Sequence, residues 1–114
     1  GYSLAFNSGD IFWRLYTSGS GVGTCNYTTG LVATTSTWHH IVGTVSGTAS
    51  GSTMRLYQNG TLLNTTTTTG TYVATTRDLK IGGYDYANSR NFDGKIAAVR
   101  TYSKALCLIM LRRL

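Results

Sequence analysis

Acid–base chemistry has little to work with in this sequence. Its carboxylate side chains are Asp10, Asp78, Asp85 and Asp93, isolated from one another, and there is no glutamate. Hydrolysis of a glycosidic bond normally needs two carboxyl groups flanking the scissile bond, one as acid and one as nucleophile or base. That pair is missing. His39 and His40 offer a base, but no Gly-x-Ser-x-Gly nucleophile motif accompanies them. Neighbouring residues on a strand point to opposite faces, so the two imidazoles cannot hold one metal ion without distortion. Cys25 and Cys107 lack a Cys-x-x-Cys or His/Cys context for zinc. They could pair with each other, which sequence alone does not settle.

Binding chemistry is better represented. The stretch "GYDYANSRN" places Tyr84, Asp85, Tyr86, Asn88 and Arg90 in one short polar and aromatic loop. Rings that stack and amides that hydrogen-bond are the ingredients of a shallow sugar site, with Asn26 and Tyr27 joining if the loops cluster at one end. The competing reading is that these tyrosines cover a strand edge. Asp85, Asn88, Asn91 and Asp93 could also supply oxygen ligands to Ca2+, with Asp85 and Asp93 as its carboxylates. The simpler alternative has Asp93 making the Asp93-Gly94 turn while the others solvate a loop. No cofactor other than Ca2+ is suggested.

Such loops need strands to hold them, and the sequence supplies strand patterns almost throughout. Threonine is the commonest residue and proline is absent. Short runs rich in Thr, Tyr, Val and Ile between Gly- and Asn-containing turns predict an all-β sandwich or barrel. Residues 2–7 and 11–17 form two strands joined at Ser8-Gly9-Asp10, and the glycine-rich connection after them holds one short strand. In "TWHHIVGTVSG", Trp38, His40, Val42 and Thr44 share one face; His39, Ile41, Gly43 and Val45 share the other. Asn59-Gly60 between strand residues predicts a type I′ hairpin, since both turn positions need positive φ. On its first arm Met54, Leu56 and Gln58 share a face. "DLKIGGY" reads as a short strand with Leu79 and Ile81 facing the same way. "FDGKIAAVRTY" reads as the last strand, and Ser103 as the N-cap of a short C-terminal helix.

The formal charge is +6, from ten Lys and Arg against four Asp. Most of the bases are scattered singly, and Arg112-Arg113 is the one adjacent pair. That distribution argues against a specific nucleic-acid surface and allows mild attraction to acidic glycans or cell surfaces. No stretch is long and apolar enough for a transmembrane helix. The sequons at Asn26, Asn59 and Asn64 are expected by chance in so threonine-rich a chain.

Taken in order, "GYSLAFNSGDIFWRLYTSG", "TWHHIVGTVSG", "MRLYQNGTLL", "LKIGGY" and "FDGKIAAVRTYSKAL" resemble the laminin G-like jelly roll of the concanavalin A-like lectin and glucanase superfamily. The resemblance spans residues 1–106. It implies that Trp38 and His40 fill the space between two sheets. Gly82 and Gly83 would allow the sheets to approach, Phe92, Ile96 and Val99 would anchor the closing strand with a bulge between the last two, and Leu106 would plug one end. It also implies that the family's first strands are missing, to be completed by other copies or by a preceding segment. Residues 107–114, "CLIMLRRL", are apolar and basic where the family turns polar and acidic. They read either as a tail docked on uncovered core or as a shifted reading frame. Ala97 and Ala98 stand where the family often has an acidic pair, which weakens a borrowed metal site. The expected function is a non-catalytic recognition module for glycans or protein surfaces within a secreted, cell-surface or virion protein. The alternative is a structural module of an extracellular or phage assembly.

Overall fold

The computed structural model describes residues 1–7, 10–16, 22–27, 37–48, 51–70, 78–83 and 91–105. They form an all-β, antiparallel structure of two three-stranded sheets. The first sheet runs β1 (Tyr2–Asn7), β2 (Asp10–Tyr16), β3 (Val22–Tyr27); the second runs β4 (Ile41–Thr48), β5 (Gly51–Gln58), β6 (Thr61–Thr68). In both sheets sequence neighbours are spatial neighbours, as short connections dictate. Asp10, expected in the first turn, instead opens β2 opposite Asn7.

Alternation builds the core. Along β2, Ile11, Trp13 and Leu15 are buried while Phe12, Arg14 and Tyr16 are only partly so; along β5, Ser52, Met54 and Leu56 are buried. These two rows meet where β3 lies across β5 and β6 and β2 lies across β5. Ile41, Val45 and Leu63 pack around them. This is a layered, jelly-roll-like sandwich, as the family resemblance implies. Trp13 ties the layers together, because its Nε1 donates to the Thr44 carbonyl at 3.0 Å. Its ring lies directly over Gly43: a Cβ there would sit 2.4 Å from the Trp13 Cδ2.

The Asn59-Gly60 hairpin forms as the sequence requires, with φ of 48° and 82°. The pairing shifts register between Leu56 and Tyr57, so that Tyr57 faces Leu62 but Leu56 faces Asn64. Leu63 is the extra residue, and it turns to the core while Leu62 stays exposed.

Several expectations change. Trp38 and His40 do not lie between the sheets. β4 begins at Ile41, and its core side carries Ile41, Gly43 and Val45, the partners of Gln58, Leu56 and Met54. Face choice follows the space Gly43 leaves for Trp13, and a strand commits all its residues to one parity. The segments expected as strands at 78–84 and 92–102 lie in no sheet over their described residues, 78–83 and 92–102; Leu79, Ile81, Phe92, Ile96 and Val99 are exposed. A strand exists through its partner's hydrogen bonds, and between these segments Phe92 N donates to the Gly82 carbonyl at 2.9 Å without forming a ladder. The bulge expected between Ile96 and Val99 is therefore absent, and Gly82 and Gly83 are exposed rather than set between sheets. Ser103 and Lys104 form a bend instead of opening a helix. Leu106 and the tail lie outside the described residues.

Candidate functional site

The loop expected to bind sugar, Tyr84, Asp85, Tyr86, Asn88 and Arg90, lies outside the described residues. Of the calcium set, Asn91 and Asp93 are described, and both are exposed. No group of three or more His, Cys, Asp or Glu comes together among the described residues. Asp85 and Asn88, the rest of that set, lie outside the described residues. Cys107 is likewise outside the described residues.

What the structure does assemble is a different aromatic and polar surface at the entry to β4. Trp38, His39 and His40 precede the strand, and two reciprocal bonds fasten them to the hairpin turn. The His40 amide donates to Asn59 Oδ1 at 2.9 Å, and the Asn59 amide donates to the His40 carbonyl at 2.8 Å. One residue earlier, the Gln58 amide Nε2 lies 2.9 Å from His39 Nδ1. Gln58 shares its face with Ile41, so this contact closes the core side at that end of the sheet. Trp38, the residue before His39, is 63% exposed. The local sequence explains the arrangement: Asn59 tolerates its positive φ and offers a short side-chain carbonyl at the one place where the incoming chain needs a partner.

The outer face of β2 supplies a second aromatic row, Phe12, Arg14 and Tyr16. There the Arg14 guanidinium lies 4.7 Å from the centre of the Phe12 ring, and all three side chains are half-buried. A ring already covered by a cation is a poorer stacking partner for a ligand than an open indole. Trp38 is therefore the better-formed platform: an exposed aromatic side chain two residues before a backbone pinned to the hairpin turn at His40. Sequence reading missed it because a tryptophan beside a strand of apolar residues looks like core. The signal that could have found it is Asn59, whose capping role fixes the parity of His40.

No helix among the described residues is long and apolar enough to cross a membrane. A family model of the laminin G type, described as the concanavalin A-like lectin/glucanases superfamily, matches residues 1–107. No curated protein and no solved structure matches the chain.

Proposed function

The chain belongs to the concanavalin A-like lectin/glucanase superfamily as a laminin G-like domain, and from that we propose that it is a non-catalytic glycan-recognition module. Domains of this kind are in general carbohydrate- or surface-binding modules. The observation that carries the glycan reading is the exposed indole of Trp38, next in sequence to His39, whose Nδ1 lies 2.9 Å from Gln58 Nε2. An aromatic face takes up the C–H face of a sugar ring, and neighbouring amides bond its hydroxyls, the usual division of labour in a mostly apolar site with a few placed polar groups. The absence of glutamate supports recognition without hydrolysis. The loop at 84–91, with Tyr84, Asp85, Tyr86, Asn88 and Arg90, is proposed as a second contact region for the same ligand class. The setting proposed is a secreted, cell-surface or virion protein.

A glycan array probed with the purified chain, its Trp38→Ala variant and its Tyr86→Ala variant tests this. Wild type is expected to bind, Trp38→Ala to lose at least about tenfold, the range that one central aromatic anchor commonly carries, and Tyr86→Ala to lose less. The parent chain should release no reducing sugar from the β-glucans it binds. Absence of any bound glycan, or undiminished binding by Trp38→Ala, would sink the reading.

A further inference from the structure

Asn59-Gly60 is the one Asn-Gly dipeptide in the chain. An asparagine carries an electrophile, its side-chain Cγ, within reach of a nucleophile, the amide nitrogen of the next residue. Most residues crowd that nitrogen with a Cβ; glycine has none. Here both residues are exposed, and nothing lies within 4 Å of where a Cβ on Gly60 would stand. Solvent can therefore supply the base and the water that cyclisation and hydrolysis need.

The chemistry balances with water alone. Hydroxide takes the Gly60 amide proton, and the nitrogen attacks Asn59 Cγ. The Cγ–Nδ2 bond breaks, Nδ2 leaves as ammonia with a proton from water, and a five-membered succinimide remains. Water then opens the ring. Breaking the bond from nitrogen to Cγ gives aspartate. Breaking the bond from nitrogen to the main-chain carbonyl carbon gives isoaspartate, in which the chain runs through Cβ and Cγ. In sum one water is consumed and one ammonia released. A carboxylate replaces the amide, which lowers the formal charge of +6 by one.

The folded hairpin opposes the first step in two ways. Ring closure needs Gly60 N on the same side of the Asn59 Cα–C bond as Cβ. Asn59 and Gly60 have φ of 48° and 82°, the two positive values of a type I′ turn. In that turn ψ at the first central residue is about +30°, the mirror image of type I, and this swings the next nitrogen nearly opposite to Cβ. The side chain is also tied down. Its Oδ1 accepts from the His40 amide at 2.9 Å, and the Asn59 amide donates to the His40 carbonyl at 2.8 Å. Cγ cannot turn toward Gly60 N until both the turn and the Oδ1 bond give way.

We propose that Asn59 is a deamidation site gated by its own hairpin: unreactive while the turn and the His40 bond are formed, reactive when that end of the second sheet opens. Openings of this local kind occur without global unfolding. The two products differ in what they leave behind. Aspartate keeps a side-chain oxygen to accept from the His40 amide, and its charge strengthens that bond. Isoaspartate makes the old side-chain carbonyl part of a main chain one atom longer, so the two-residue turn and the acceptor are lost together. The entry to β4 then loses its fastening at His40, two residues after Trp38. The site is an irreversible record of opening, and it rests on the bonds at Asn59 whether or not Trp38 takes a glycan.

The test keeps the full chain at mildly alkaline pH, native in one sample and unfolded in guanidinium chloride in another. Peptide mass mapping follows residues 59 and 64, a gain of one mass unit marking deamidation, and electron-transfer fragmentation tells isoaspartate from aspartate. Asn59 is expected to react in the unfolded sample and at least about tenfold more slowly in the native one, because a gated rate follows the population of the open form. Asn64, followed by the β-branched Thr65, should gain no mass over the same time. Gly60→Ala should slow the unfolded reaction severalfold by placing a Cβ beside the nitrogen. In native chain enriched in isoaspartate, the His40 amide should lose its protection from hydrogen exchange, while Asn59→Asp retains it. Equal rates in the two samples, no reaction at Asn59 in the unfolded one, or an isoaspartate chain whose His40 amide stays protected overturns the proposal.

Discussion

At the scale of single residues, two glycines test two different physical constraints. Gly43 adopts no left-handed backbone, but a Cβ there would lie 2.4 Å from Trp13 Cδ2 and 2.8 Å from Cε2 and Cε3. Gly43→Ala must therefore displace the indole and strain its bond to the Thr44 carbonyl. Overpacking of this kind costs about 1–3 kcal/mol, and loss of the bond adds about 1 kcal/mol. Gly60 is the opposite case: its φ is 82°, and nothing lies within 4 Å of an added Cβ. Gly60→Ala should cost only the left-handed penalty of about 1–2 kcal/mol. Urea denaturation should rank Gly43→Ala as the less stable variant, with a red-shifted Trp13 emission that Gly60→Ala does not show. Equal losses with unchanged emission would mean that Trp13 does not pack on Gly43.

At the scale of elements, the hairpin turn does more than join β5 to β6. Asn59 supplies both the positive φ of the turn and the acceptor that holds His40, hence the approach of Trp38. These two roles separate by substitution. Asn59→Gly keeps the turn conformation and loses the acceptor; Asn59→Ala loses both. Asn59→Gly is expected to retain more stability, by about 1 kcal/mol, from the backbone term alone. Both variants should weaken glycan binding to a similar extent, because the Trp38 platform depends on the side-chain bond rather than on the turn. Full binding by Asn59→Gly would show that Trp38 is held by something other than Asn59. The bulge belongs to this scale as well: by inserting Leu63 it brings a leucine to the core side of β6 while Leu62 stays exposed.

At the scale of the whole molecule, charge and shape act differently. The net charge of +6 is spread over singly placed bases, so attraction to anionic polymers is long-ranged and screened by salt. Stacking on Trp38 is short-ranged and is not. Retention on immobilised heparin should fall steeply as NaCl rises from 50 to 500 mM, settings chosen to take the screening length from about 14 to about 4 Å. Binding of a neutral glucan should change little over the same range. A neutral-glucan affinity that collapses with salt would place recognition on the charges instead of the indole.

The parts of this protein legible in its sequence are those that local chemistry fixes. Asn59-Gly60 specifies its turn whatever lies around it, because few residues adopt positive φ there. The alternation of Ile11, Trp13 and Leu15, and of Met54 and Leu56, specifies which sides of β2 and β5 are buried, because a strand has two faces and apolar side chains leave water together. Most of what could not be read depends on a partner supplied from elsewhere in the chain. Trp13 and Trp38 both sit in strand-like apolar contexts; the first is buried because Gly43, thirty positions on, leaves room for its ring. For the same reason β4 turns Ile41, Gly43 and Val45 to the core, and Trp38 and His40 stay outside it. Residues 79–83 and 92–102 have the composition of strands, and composition does not supply the second strand whose hydrogen bonds would make them so. Leu62 and Leu63 look equivalent until the register of β5 against β6 sends one out and one in. Residue type sets what each position prefers; only the packing of one sheet on the other decides which preferences are met.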